Sequence, residues 1–294
     1  MADPRRRHPA SVPGPWFVDT TCIDCDACRQ IAPGVFAESD GHGQSTVFRQ
    51  PESGEDERAA ARALVACPTA SIGFEGGSID AAGLFPQEIA DGVFYCGYNS
   101  EDSFGANAFL AVRARGNVLV DSPRFTMPLV REIERRGGLT HVLLTHRDDV
   151  ADADRFARHF GAEVWIHEAD RSAAPYASHV LRGLDATSIR PDLVAIPLPG
   201  HTRGSAAFVL ESTFLFSGDS LYWSRRRQDL GAFRDACWYS WEEQTESLAR
   251  LADHRFEWVL AGHGDRHHAP AEEMEARLRA LVERMRAPRT EVEW

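Results

Sequence analysis

Leu143-Leu144-Thr145-His146-Arg147-Asp148-Asp149-Val150-Ala151-Asp152 is the stretch on which the reading of the chain turns. Val142-Leu143-Leu144 reads as a short apolar strand that runs straight into His146 and a burst of carboxylates, Asp148, Asp149, Asp152 and Asp154. A buried strand fixes one imidazole while the loop after it curls further donors around an ion, a common way to assemble a metal site. An Asp-rich turn capping the next helix has the same appearance. The stretch therefore gains meaning only from partners elsewhere in the chain.

Those partners recur downstream at the ends of apolar segments. Strands are expected over 92–97, 108–113, 117–121, 141–145, 162–167, 193–198, 206–211, 213–219 and 258–261. Helices are expected over 128–136, 152–160, 241–254 and 269–286. Four of these strands end in a loop-borne ligand type: His146, His201 in Pro199-Gly200-His201-Thr202-Arg203-Gly204-Ser205, Asp219, and His263 in Gly262-His263-Gly264. A lone Gly-His-Gly turn is usually structural, but side chains at strand ends converge on one rim of a sheet pair. Four together point to a metal site.

Composition narrows the function. The 294 residues suit a large domain plus a small one, and 43% apolar with 26% charged residues is ordinary for a globular protein. A net charge of −12 disfavours nucleic acid or an anionic membrane as partner. All 32 basic residues are Arg, so Schiff-base chemistry and a P-loop lysine are excluded. No apolar run approaches a membrane span. The basic start Met1-Ala-Asp-Pro-Arg-Arg-Arg-His8 lacks a following apolar segment, so a cytoplasmic location is expected.

Upstream, Cys22-Ile-Asp-Cys25-Asp-Ala-Cys28 can wrap three thiolates around one face of an iron–sulfur cube, and Cys67, followed by Pro68, supplies a fourth. Structural zinc usually pairs two separated C-x2-C knuckles, and disulfides need an oxidising compartment, so the cluster is favoured. The segment resembles small bacterial-type ferredoxins. Ala32 stands where the two-cluster version has its next cysteine, which leaves one 4Fe-4S cluster held by Cys22, Cys25, Cys28 and Cys67. Asp24 and Asp26 are expected to add negative charge beside it and lower its potential. Phe17-Val18 and Ser71 to Phe74 look like the paired terminal strands, with a helix over 57–65 and a turn at Gly41-His42-Gly43-Gln44-Ser45 with an exposed His42. Gly76-Gly77-Ser78 and Pro86 mark a linker, so the expected domains are 16–78 and 88–294.

The later motifs, Thr145-His146-x-Asp148, Gly200-His201-Thr202-x-Gly204-Ser205, Ser217-Gly218-Asp219-Ser220 and Gly262-His263-Gly264, resemble the metallo-β-lactamase superfamily, closest to its glyoxalase II-like branch. The resemblance implies an α+β chain in which the ferredoxin-like domain precedes an αββα sandwich. It implies further that His201 joins a first metal site, that Asp219 bridges two metals, and that His263 completes the second. The superfamily loop His-x-His-x-Asp-His is altered: Asp148 replaces the second His, Val150 the Asp and Ala151 the last His. Sliding the end of the motif by two residues restores the Asp as Asp152 but puts Ala153 at the last His. The first site then draws on His146, Asp148, His201 and Asp219, and the second on Asp219, His263 and Asp152 or Asp149.

Carboxylate in place of imidazole shifts preference from zinc towards iron or manganese. One or two divalent ions (Zn, Fe or Mn) are expected. The flavodiiron branch makes the same replacement, but this chain lacks a flavin-binding domain and carries a cluster module instead. Three functions follow: a hydrolase of an ester, thioester or lactone with Asp152 or Asp149 as base; an oxidoreductase passing cluster electrons to an iron site; or a non-enzymatic electron carrier or redox sensor. The partners expected are a small-molecule substrate and, for the redox readings, a redox protein. Cys96 and Cys237 read as buried structural thiols, His267-His268 and Arg225-Arg226-Arg227 as solvated loop, and Tyr222 as packing.

Overall fold

A computed structural model describes residues 2–39 and 43–288; the expected His42 turn tip and residues 289–294 lie outside them. The chain divides into two compact units, Met1–Val142 with Asp148–Glu163, and Leu143–Arg147 with Val164–Trp294.

In the first unit, Trp16–Val18 pairs antiparallel with Ile72–Phe74, Phe17 opposite Gly73, as the sequence suggested. The helix between them is longer than expected, Gly54–Ala66. Ser53 caps it by accepting the Asp56 N–H at 3.1 Å, and Glu55, Asp56 and Glu57 complement the positive end of its dipole. Its Ala60, Ala61, Ala63 and Ala66 face is buried. Proline disfavours helical backbone in the residue before it, so the helix stops at Cys67 and leaves that side chain at its end. Ser45 departs from the expected turn: Ser45–Val47 is a buried strand paired with Phe36–Glu38. Gln87–Ala90, Val93–Tyr95, Phe109–Ala111 and Val118–Val120 form an antiparallel meander of short strands. Helix Met127–Arg135 buries Leu129, Val130 and Ile133, at the i, i+1 and i+4 positions of one face.

The second unit is built on a six-stranded sheet in the order Thr187–Arg190, Leu193–Pro197, Ala206–Leu210, Phe214–Gly218, Trp258–Ala261, His267–His268. All neighbours are antiparallel except Phe214–Gly218 with Trp258–Ala261, which run parallel. Ala206–Leu210 and Phe214–Gly218 are buried throughout, which is why Ala206–Leu210 and Phe214–Phe216 read as continuous apolar runs. Leu248 and Leu251 from helix Trp241–Leu251 join Met274, Leu278 and Leu281 from helix Ala271–Arg286 in a core with Leu215 and Val259 of the sheet. His267-His268 is an edge strand rather than a loop, because His267 stacks on Trp223 with ring centroids 3.5 Å apart. Thr187–Arg190 and His179–Leu181, the latter parallel to Trp165–His167, fall where only loop was expected. Among the described residues no helix is long and apolar enough to cross a membrane.

Candidate functional site

Parallel pairing explains how two of the expected ligands meet. Gly218 lies opposite Ala261, so both strands leave the sheet at the same edge, with Asp219 immediately after one and His263 two residues after the other. His263 Nδ1 lies 2.9 Å from each Asp219 carboxylate oxygen. His201 comes from the turn joining Leu193–Pro197 to Ala206–Leu210, a turn closed by Leu198 N–H donating to the Ser205 carbonyl at 2.7 Å. Its Nε2 is 3.7 Å from Asp219 Oδ2, and His146 Nε2 is 3.7 Å from the same oxygen. The His146 and His201 rings stand at 90° with centroids 4.7 Å apart. Gly218 has φ +51°, and a Cβ there would come within 2.6 Å of Thr145 Oγ1. A residue without a side chain is what lets the His146 segment approach Asp219.

The electrostatics suit a cation. His201 Nδ1 is 2.6 Å from the Ala236 carbonyl. A carbonyl only accepts, so Nδ1 carries the hydrogen and Nε2 keeps its lone pair. Burial alone would raise the Asp219 pKa, but His263, with His146 and His201, outweighs it and holds the carboxyl well below the usual range. Two imidazole nitrogens equidistant from one carboxylate oxygen are spaced as donors sharing a single ion at about 2.0–2.2 Å each. The donor set fits a divalent metal. Asp148 and Asp149 lie on the single turn Arg147–Asp149 that follows His146, Asp149 buried and Asp148 exposed. Asp152, at the start of helix Ala153–Phe160, accepts the Phe125 N–H on Oδ2 at 2.7 Å and contacts Arg155 through Oδ1 at 3.3 Å.

The four cysteines Cys22, Cys25, Cys28 and Cys67 line one cavity, together with Val18, Ile23, Ser45 and Ile72. Asp24 and Asp26 sit in left-handed backbone at φ 61° and 63°, a region Asp tolerates better than most residues, and so turn the loop about that cavity. Both carboxylates pair with the one Arg29, so the negative charge expected beside the cluster is reduced by half. Ser71 N–H donates to Cys67 Sγ at 3.2 Å and Ser45 N–H to Cys22 Sγ at 3.5 Å. Burial pushes the Cys25 thiol up to about 12 and Cys28 well above its ordinary value. Thiolates are stable here only when metal balances their charge, and four of them around one cavity fit a 4Fe-4S cluster.

Other residues sit differently from expectation. Cys96 is buried, but Cys237 is only half-buried, and its thiol donates to the Gly200 carbonyl at 3.2 Å beside His201. Tyr222 stacks on Phe233 at 3.9 Å, the packing role expected, and Arg225-Arg226-Arg227 is exposed at a hairpin turn. Sequence reading missed Trp238, 62% exposed, whose N–H donates to the His201 carbonyl at 2.9 Å. It missed Asp170 as well, although a carboxylate three residues beyond the strand Glu163–His167 repeats the strand-end pattern used for the other ligands.

Comparison with known proteins agrees with this geometry. Residues 18–74 match the family model of the 4Fe-4S single cluster domain of Ferredoxin I, and residues 89–284 that of the metallo-beta-lactamase superfamily. A hydroxyacylglutathione hydrolase of Fuscovulum blasticum is 37% identical over 108 residues, 35% of this chain and 42% of that protein. One from Xanthomonas oryzae pv. oryzae is 34% identical over 117 residues, 38% of this chain and 44% of that protein. The chain thus spans under half the length of these curated relatives. YobT, an uncharacterized protein of Bacillus subtilis, is 28% identical over 58% of this chain and 88% of its own. The FIM-1 metallo-β-lactamase of Pseudomonas aeruginosa in its mono-zinc form shares the fold, with a TM-score of 0.53 and 19% identity over 69% of this chain and 96% of that one. Behind a ferredoxin-type single-cluster segment, this chain belongs to the metallo-β-lactamase superfamily.

Proposed function

We propose that the protein is a metal-dependent hydrolase of a small thioester, ester or lactone, with a 4Fe-4S cluster on the same chain. Residues 16–78 carry the cluster and residues 88–294 the hydrolytic fold. The observation that carries this reading is the meeting of His146, His201 and His263 at the Asp219 carboxylate. A thioester is favoured because the curated relatives are named as hydroxyacylglutathione hydrolases.

His146, His201 and Asp219 would hold the first ion with Asp148 from the adjoining turn, and Asp219 and His263 would contribute to a second. A divalent ion at such a position polarises an acyl carbonyl and lowers the pKa of a water molecule. The chain's own groups do the rest. The Ala236 carbonyl fixes the His201 tautomer, and the His263–Asp219 pair keeps the carboxylate ionised. Of the two carboxylates weighed as base, Asp149 is favoured over Asp152. It is buried on the turn after His146, whereas Asp152 already serves the Phe125 N–H and Arg155. Hydrolysis adds the water oxygen to the acyl carbon, breaks the C–S or C–O bond and returns a proton to the departing sulfur or oxygen.

The test is turnover of a panel of acyl-glutathione and other thioesters, esters and lactones by the metal-loaded protein. Hydrolysis that His201→Ala abolishes is the expected result, and rates no higher than free metal would sink the reading. A second reading rests on the cysteine cavity: electrons enter at the cluster and pass to iron bound at His146, His201, Asp219 and His263. Metal analysis after anaerobic purification separates the two, since zinc as the sole metal besides cluster iron excludes redox chemistry at the histidines.

A further inference from the structure

Asp170 is fully buried, on the turn Glu168–Ala173 that follows the strand Glu163–His167. Removing a carboxylate from water costs several kcal/mol unless hydrogen bonds replace the lost hydration. Here the replacements come from two separate turns. Asp170 Oδ2 accepts the Arg147 backbone N–H at 3.0 Å and the Thr202 hydroxyl at 2.5 Å, and Oδ1 accepts the Gly204 N–H at 3.2 Å. Arg147 directly follows His146, and Thr202 directly follows His201. A Cβ at Gly204 would come within 2.5 Å of Asp170 Cγ, so the absence of a side chain there lets the carboxylate lie flush against the His201 turn. Thr202 carries the constraint onward: its N–H donates to Ser205 Oγ at 2.9 Å, and the two hydroxyls are 3.0 Å apart.

We propose that Asp170 is a positioning residue for the metal centre, one buried carboxylate that fixes the His146 turn and the His201 turn to each other and so sets the spacing of the two imidazoles. It rests on the metal-site reading above. The two histidines come from loops more than fifty residues apart, which the Ala206 N–H also joins by donating to the Thr145 carbonyl at 2.7 Å. Asp170 adds a charged acceptor to that junction, bonded to the residue after each histidine. A charge-assisted acceptor with three short donors is stiffer than a neutral one, which explains why a carboxylate occupies this position.

The experiment compares wild type, Asp170→Asn, Thr202→Val and the double variant. Divalent-metal affinity is measured by competition with a chromophoric chelator, with circular dichroism and the visible absorbance of the cluster recording the fold. Asn keeps the shape but sets a donor against a donor at one of the three bonds. The expected loss for Asp170→Asn is about tenfold in metal affinity, the lower end of what outer partners of ligating histidines contribute, with the fold signals unchanged. Thr202→Val should lose less, and the double variant no more than Asp170→Asn alone, because the hydroxyl's partner is already altered. Unchanged affinity in Asp170→Asn, or additive losses in the double variant, overturns the proposal. If Asp170→Asn fails to fold, Thr202→Val decides, and wild-type affinity there overturns it. A wild-type protein that binds no divalent ion beyond cluster iron would instead refute the metal-site reading, a distinct outcome.

Discussion

The cysteine cavity and the histidine rim solve opposite problems. In the cavity three of four ligands lie within seven residues of chain, and a helix end brings the fourth. In the rim the ligands are spread from His146 to His263 and meet only because the strands around them pair in one particular order. The electrostatics differ as sharply. Burial dominates at Cys25 and Cys28 and keeps those thiols protonated, so the charge that balances thiolates must arrive with the cluster. At Asp219 burial is outweighed by three histidines, so the rim is ionised before any metal binds. A locally encoded site waits for its charge; a topologically encoded one is built with it.

The comparison breaks first if the two sites are not independent. Cys25→Ser should abolish cluster absorbance and cluster iron yet leave divalent metal at the rim within a few-fold of wild type. His201→Ala should do the reverse, weakening rim metal by more than the about 10–100-fold that outer partners contribute, with the cluster spectrum intact. Iron and zinc analysis of both variants checks this. Loss of rim metal in Cys25→Ser would mean that one site assembles only through the other.

A smaller effect sharpens the electrostatic half of the contrast. In protein stripped of its cluster, the unfolded chain gives up the Cys25 proton near 9.0, whereas the folded chain holds it up to about 12. The proton-bound form is the one the fold favours. Its stabilisation is therefore complete below pH 9 and drains away as pH rises towards 12. Thermal melts of the stripped protein should show Tm falling across that range, more steeply than in Cys25→Ser treated identically. Parallel curves for the two proteins would show that the Cys25 thiol is not held in low dielectric.

The same contrast explains what could be read from the chain. Cys22-x2-Cys25-x2-Cys28 and Cys67-Pro68 announced themselves because a cluster needs its ligands close in sequence. His201, Asp219 and His263 were legible as strand-end residues, since Leu193–Pro197, Phe214–Gly218 and Trp258–Ala261 are mostly apolar runs. Strands of three or four residues with mixed burial, such as His179–Leu181 and Thr187–Arg190, left no periodic trace, because their pairing is decided by neighbours far along the chain. Arg29 bridging Asp24 and Asp26 was equally hidden: three nearby charges in sequence do not say which way each side chain folds. Asp170 and Trp238 act on His201 across the fold, from 31 and 37 positions away in the chain, and only the packed structure exposes such partners.

The finest distinction concerns Arg124. Its Nη2 donates to the carbonyls of Val65 at 3.0 Å and Cys67 at 3.3 Å, while its own N–H donates to the Tyr98 carbonyl at 2.8 Å. Burial lowers its pKa, but the guanidinium remains charged. On the other side, the next residue, Phe125, gives its N–H to Asp152 Oδ2, and Ser122 gives its N–H to the Asp149 carbonyl at 3.3 Å. The four-residue segment 122–125 thus grips the chain at Cys67 and the carboxylate turn that follows His146. Arg124→Met keeps most of the side-chain volume and removes only the donors. Hydrogen bonds to a charged group are worth about 1.5–3 kcal/mol each, less the part water restores, so a loss of roughly 1–2 kcal/mol is expected in the cysteine region. It should appear as cluster loss to a chelator several-fold faster than in wild type, with rim metal affinity falling by less than in Asp170→Asn. Equal cluster lifetimes would show that Cys67 is held by the helix end and Ser71 alone. A larger effect on rim metal than on the cluster would show that the segment serves mainly the carboxylate turn, and the independence of the two sites would have to be abandoned.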